Sequence, residues 1–140
     1  MSLYIDTSVW ITSLASETQT HSIQRWLSAR GTSDLTTSDW VVTEVSSALA
    51  QKVRTGLLTE SGQHRALAEF RRSIHSVTKR SVWSSHFGDA ARLCDRSTLG
   101  LRANDALHLA IAMAYGDTLC TRDRKLAAAA AAYGALLELV

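Results

Sequence analysis

Four carboxylates, Asp6, Glu44, Asp105 and Asp123, stand where secondary structure could gather them into one acidic site. Asp6 directly follows the apolar run Leu3-Tyr4-Ile5, and Asp123 lies just past Thr118-Leu119-Cys120-Thr121. Both runs read as strands, and each is followed by a segment with helical spacing. In open α/β sheets, sites form beyond the carboxyl ends of the strands. If these two strands are parallel, both carboxylates reach the same sheet edge. Asp105 falls in the first turn of a segment that is apolar almost all round, Ala103 to Tyr115, so it emerges from the core only at the helix start. Glu44 belongs to a long helix in which Val41, Val42, Val45, Ala48 and Leu49 form an apolar arc. At 100° per residue it lies about 100° from the centre of that arc, bordering the buried face.

Each residue also has an ordinary use. Asp6 and Asp123 can cap helices, Asp105 can complement a helix dipole, and Glu44 can be a boundary side chain. Together they suggest more. Only Asp105 has a basic residue one turn away, Arg102. Converging carboxylates repel and rise in pKa unless a cation sits among them. Oxygen ligands without a His or Cys cluster select Mg²⁺ or Mn²⁺. One or two such ions can activate water and stabilise the charge of an in-line phosphodiester displacement, with no covalent nucleophile required.

The other reactive side chains read more plainly. His108, one turn from Asp105, sits on a helix so apolar that a hydrogen-bonded core histidine is expected. His21, His64, His75 and His86 are scattered and read as surface. Ser46 and Ser47 have no base at usable spacing. Trp10, Trp26, Trp40 and Trp83 read as core or interface.

The elements that must position the carboxylates alternate along the chain. Leu3 to Ile5 is the first strand, followed by a helix capped by Thr7 or Ser8. A second helix covers Thr20 to Ala29, and Leu35 to Thr37 is a strand. Ser38 or Asp39 caps a long helix through Val53, stopped by Gly56. Thr59 caps the next, to about Ser73, with Gly62 as a blemish in the pattern. Ser76 to Thr78 is a weak strand, and a helix runs from about Val82 to Ser97. The buried helix from Ala103 and the strand Thr118 to Thr121 precede an alanine-rich helix, Arg124 to Tyr133, and a last strand, Ala135 to Val140. This alternation predicts an α/β domain with a central, mainly parallel sheet of four to five strands and helices on both faces.

Composition narrows the class. At 140 residues, with 46% apolar and 20% charged, the chain predicts one globular domain over 1–140. No apolar run approaches the ~20 residues of a membrane span. The start Met1-Ser2-Leu3-Tyr4-Ile5-Asp6 lacks a basic region and predicts no signal peptide. Cys94 and Cys120 form no CxxC pair, which fits a reduced, cytoplasmic chain without zinc. No glycine-rich phosphate loop is present. The net charge of +2 is too mild to reveal nucleic-acid binding, but Arg65, Arg71, Arg72, Lys79 and Arg80 cluster against Glu69 alone. That block reads as a solvated helix face or as a phosphate-contacting patch.

Four segments carry a family resemblance: Tyr4-Ile5-Asp6-Thr7-Ser8, Thr43-Glu44-Val45-Ser46-Ser47-Ala48-Leu49, Asn104-Asp105-Ala106-Leu107-His108-Leu109-Ala110 and Thr121-Arg122-Asp123-Arg124-Lys125-Leu126. In order and spacing the chain resembles the PIN-domain ribonucleases, in particular the VapC-type toxins of toxin–antitoxin pairs. The resemblance implies a PIN-like α/β/α sandwich. It implies acidic metal ligands at Asp6, Glu44, Asp105 and Asp123, with Thr7 or Ser8 and Thr121 as polar supports. It also implies Mg²⁺-dependent RNA cleavage, a homodimer, and a cognate antitoxin that occludes the site. Two alternatives remain open: another Mg²⁺-dependent phosphotransfer domain, and a catalytically silent PIN-like binding module.

Overall fold

A computed structural model describes all residues from 1 to 140. In chain order the elements are β1 (Leu3–Ile5), α1 (Thr7–Leu14), α2 (Thr20–Ser28), β2 (Leu35–Ser38), α3 (Asp39–Arg54), α4 (Glu60–Ile74) and β3 (Thr78–Arg80). Then come α5 (Ser84–Asp95), a short 3₁₀ turn (Ser97–Leu99), α6 (Ala103–Tyr115), β4 (Thr118–Thr121), α7 (Arg124–Ala132) and β5 (Leu137–Leu139). The five strands form one sheet in the order β3-β2-β1-β4-β5, and every neighbouring pair is parallel. Helices cover both faces in an α/β/α arrangement. α1 packs against α2, α3 and α4, whereas α6 packs against α5 and α7.

β1 lies at the centre of the sheet, buried on both faces, and Tyr4 and Ile5 are fully enclosed. A parallel strand sandwiched between helix layers needs such a continuous apolar run. α6 is the central helix expected from its composition, with Ala106 to Ala112 buried without interruption. It ends at Gly116, whose φ of 67° lets the chain reverse into β4. Gly62, the blemish in α4, has a steric cause. A Cβ there would stand 2.8 Å from Leu58 Cδ1, so a larger residue would make the Leu58 side chain shift from its place over the helix start.

Several local expectations shift. Asp6, not Thr7 or Ser8, caps α1, its side chain accepting from the Val9 amide at 3.2 Å. β3 begins at Thr78 rather than Ser76, because Ser76 and Val77 still belong to the turn that leaves α4. As an edge strand of Thr-Lys-Arg it has no apolar alternation to mark it. His86 is buried, not on the surface: its Nδ1 accepts from the Trp83 amide at 3.0 Å and closes the first turn of α5. Trp10 is core, packed edge-on against Phe70. Trp83 is 61% exposed, so the large open apolar side chains near the start of α5 are Trp83 and Phe87.

The basic block divides in two. Arg80 grips Asp117 through two hydrogen bonds, of 2.8 and 2.6 Å, and Lys79 pairs with Asp39 at 2.9 Å. Arg65, Arg71 and Arg72 lie exposed on α4. No helix is long and apolar enough to cross a membrane.

Candidate active site

Because β1 and β4 are adjacent and parallel, with Ile5 beside Cys120, Asp6 and Asp123 leave the sheet at the same edge. α6 delivers Asp105 from its first turn, and α3 delivers Glu44 from the border of its buried face. All four carboxylates line one open cleft of about 410 Å³, together with Thr7, Ser8, Ser47, Gln51, Asn104 and His108. The sequence-derived set is thus brought together without exception.

The four are held very differently. Asp6 is 3% exposed. Its Oδ1 accepts from Ser8 Oγ at 2.6 Å and from the Val9 amide, while Oδ2 accepts from Thr121 Oγ1 at 2.6 Å. Burial pushes its pKa up, and His108, Ser8 and Thr121 only partly offset this. Asp105 is half-buried and carries no side-chain hydrogen bond. Burial comes first in raising its pKa, followed by repulsion from Asp123, with smaller pushes from Glu44 and Asp6. Repulsion alone was the expected cause, and desolvation outranks it at both aspartates.

Glu44 moves the other way. Burial opposes its ionisation, but the hydrogen bond and charge of His108, with contacts from Thr7 and Asn104, hold its carboxyl below the usual range. Thr7 Oγ1 donates to Glu44 Oε2 at 2.7 Å, and His108 Nε2 meets the same oxygen. Asp123 Oδ1 caps α7, accepting from the amides of Lys125 at 2.8 Å and Leu126 at 3.1 Å. The polar supports at Thr7, Ser8 and Thr121 therefore each touch one of the acidic residues or its neighbour.

The carboxylates do not close on one point. No three His, Cys, Asp or Glu side chains form a group able to hold an ion as they stand. Their present bonds account for this: Asp6 turns to Ser8 and Thr121, Glu44 to His108, and Asp123 to its own helix. The donor chemistry nonetheless fits a hard divalent cation. The cleft offers four carboxylates and several hydroxyls, no thiol, and in Asp105 a raised, half-buried carboxylate with no protein donor.

His108 is the residue whose part was under-read. It is buried as expected, yet its Nε2 reaches the cleft through Glu44. The available signal was its position three residues after Asp105, which puts both on one face of α6. Asn104, Gln51 and Ser47 also line the cleft and had no distinguishing spacing.

Comparison with known proteins identifies the fold and the family. No curated protein matches the chain significantly. Among solved structures, VapC20 of Mycobacterium tuberculosis, a toxin that cleaves the sarcin–ricin loop, aligns with a TM-score of 0.72 at 21% identity, over 91% of this chain and 95% of that one. FitAcB of Neisseria gonorrhoeae aligns with a TM-score of 0.71 at 18% identity, covering 96% and 95%. VapBC2 of Rickettsia felis, bound to a promoter DNA fragment, aligns with a TM-score of 0.70 at 15% identity, covering 99% and 98%. These are likenesses of fold. A family model for the PIN domain matches residues 3–132, nearly the whole chain, and the chain belongs to the PIN-domain family.

Proposed function

We propose that this chain is a metal-dependent endoribonuclease and the toxin of a toxin–antitoxin pair. One observation carries the reading: in a PIN-family chain, Asp6, Glu44, Asp105 and Asp123 line the same cleft at the carboxyl edge of the sheet. Asp6, Glu44, Asp105 and Asp123 would hold Mg²⁺ or Mn²⁺. When bound, the ion supplies a Lewis acid that polarises the phosphodiester and lowers the pKa of water.

The protein's own residues orient and select. Ser8, Thr121 and the Val9 amide fix the Asp6 carboxylate in a buried, nearly dry position. Such a carboxylate holds its direction without reorganising when charge arrives. Asp105, with no donor of its own, is ready to engage a cation, and burial, which raises the pKa of both aspartates, makes a cation beside them worth more than it would be in water. The cleft is open, which suits a long strand passing across it rather than a small enclosed ligand.

The resemblance to toxin chains supports an RNA substrate, a homodimer and a cognate antitoxin as partners. VapC20 is a sarcin–ricin loop cleaving toxin, VapBC2 of Rickettsia felis was solved with a DNA fragment from its promoter, and FitAB with an IR36 DNA fragment. An antitoxin arginine reaching the acidic cleft would match its carboxylates by bidentate bonding.

The decisive experiment incubates the purified chain with labelled RNA in Mg²⁺, in Mn²⁺ and in EDTA, with Asp105→Asn as control. Cleavage that needs the ion and fails in Asp105→Asn is the expected outcome. Cleavage undiminished in EDTA overturns the metal reading, and no cleavage of any RNA in either ion favours the silent binding module.

A further inference from the structure

His108, Tyr4 and Ser38 form a hydrogen-bonded series that the acidic set does not require. Ser38 caps α3, its Oγ accepting from the Val41 amide at 3.4 Å. The same Oγ lies 2.7 Å from Tyr4 Oη in the centre of the sheet. Tyr4 Oη lies 3.1 Å from His108 Nδ1, and His108 Nε2 meets Glu44 Oε2. The series leaves α3 at its cap, crosses β1 and α6, and returns to α3 at Glu44. Tyr4 and His108 are both almost completely buried.

The proton directions are constrained. An ionised carboxylate only accepts, so His108 Nε2 must carry the proton. Nδ1 then meets Tyr4 either as acceptor from the phenol or as donor to it. Both arrangements keep Nε2–H on Glu44. Burial pushes the Tyr4 phenol up, so it remains an O–H. Flipping the ring would set carbon against both partners and break both bonds. His108 is therefore locked in one orientation, by Tyr4 in the core on one side and by Glu44 at the cleft on the other.

We propose that His108 is a positioning residue for Glu44, fixed in turn by Tyr4 and Ser38, and that this relay sets how Glu44 presents its carboxylate to a divalent cation. The proposal rests on reading Glu44 as a metal-holding residue. Thr7 and His108 both take Oε2, so the carboxylate is pinned by one oxygen and its rotation is stopped. A merely structural histidine on α6 would satisfy its ring nitrogens within the core. This one spends a nitrogen on a carboxylate at the cleft. Groups that orient metal-holding side chains typically change metal affinity by about 10- to 100-fold when removed.

The test uses the full chain and Mn²⁺ as the probe, with three readouts: Mn²⁺ affinity by calorimetric titration, the His108 ring tautomer by nitrogen-15 NMR, and folding by circular dichroism. The expected tautomer is Nε2–H, with an Nδ1 signal that changes in Tyr4→Phe. His108→Leu should weaken Mn²⁺ binding about 10- to 100-fold. His108→Gln should restore much of it, because its amide N–H can stand where Nε2–H stood. Tyr4→Phe should fall between the two. A folded His108→Leu that binds Mn²⁺ like the parent overturns the proposal, as does an unprotonated Nε2. If His108→Leu does not fold, unchanged affinity in Tyr4→Phe overturns it instead. Glu44→Gln separates the two levels: parental Mn²⁺ affinity in that variant overturns the reading of Glu44 itself, while a loss there with none in His108→Leu overturns the relay alone.

Discussion

Thr121 Oγ1 donates to Asp6 Oδ2 at 2.6 Å, a bond that joins residues 115 positions apart at the ends of two adjacent parallel strands. It places a buried carboxylate at the lip of the cleft and ties that carboxylate to the strand that leads to Asp123. Thr121→Val keeps the shape and deletes this donor, together with the acceptor that the Asp123 amide uses at 3.0 Å. The metal-free protein should lose about 1–3 kcal/mol of stability near pH 7, the usual effect of under-serving a buried charged acceptor. The loss should shrink in acid, where Asp6 takes up a proton. Urea unfolding at both pH values checks this, and equal stability of variant and parent at pH 7 would count against the bond.

The raised pKa of Asp6 and Asp105 has a definite sign for stability. An acid whose folded pKa lies above its ordinary value of 3.8 binds a proton more readily when folded. Its charged form therefore destabilises the fold, and this penalty is relieved as pH falls from the raised folded value toward 3.8. Asp6→Asn and Asp105→Asn should each make the metal-free protein as stable as the parent or more stable at neutral pH, with the difference vanishing in acid. Asn also caps a helix about as well as Asp, so α1 should survive in Asp6→Asn. Both variants should lose RNA cleavage by more than about 100-fold, since removing a ligand exceeds the effect of removing its supports. Calorimetry across pH and a cleavage assay test the two halves separately. A neutral-pH stability loss in Asp105→Asn would refute the electrostatic argument.

The sequence made much of this legible. Asp6 and Asp123 could be placed at one edge because each directly follows an apolar strand, and strand direction then dictates position. Asp105 was marked by a helix too apolar to carry a carboxylate anywhere but its first turn. β3 was misplaced by two residues because Thr78, Lys79 and Arg80 carry no apolar alternation: the strand is held by pairing with β2 and by the Arg80–Asp117 grip. His86 escaped because a side chain that folds back onto Trp83's amide leaves no periodic trace. The rotamers that keep the carboxylates apart were equally beyond reach, since they depend on His108, Thr7 and Thr121 arriving from distant segments.

The divided basic block changes how RNA contact should be tested. Asp117 is essentially buried at 1% side-chain exposure, whereas Arg80 retains 21%. Arg80→Ala would leave that charge only the Thr36 hydroxyl, which donates to Asp117 Oδ2 at 2.8 Å, and should cost roughly 3 kcal/mol, the low end for a broken buried pair. A binding loss in that variant would reflect unfolding. Arg71→Gln with Arg72→Gln is the cleaner probe, because both side chains are exposed on α4. If they contact phosphates, the slope of log affinity against log salt should flatten by about 0.7 per lost contact. A parental slope returns α4 to solvated surface.

The apolar face around α5 bears on self-association. Phe87 is 55% exposed and Trp83 still more, beside a groove of about 550 Å³ walled by Trp40, Ala90, Ala91, Cys94 and Leu107. The Trp40 indole N–H is buried there without a partner. Contiguous apolar surface of this kind marks interaction sites on small domains, and the proposed homodimer would cover it with a second copy of the chain. The parent should therefore be a dimer at tens of micromolar. Phe87→Glu should give a monomer with an unchanged circular dichroism spectrum, because the substituted side chain lies outside the core and its new charge would be desolvated only in the dimer. Light scattering that finds the parent monomeric at that concentration defeats the dimer. A Phe87→Glu chain that still dimerises would move the interface elsewhere.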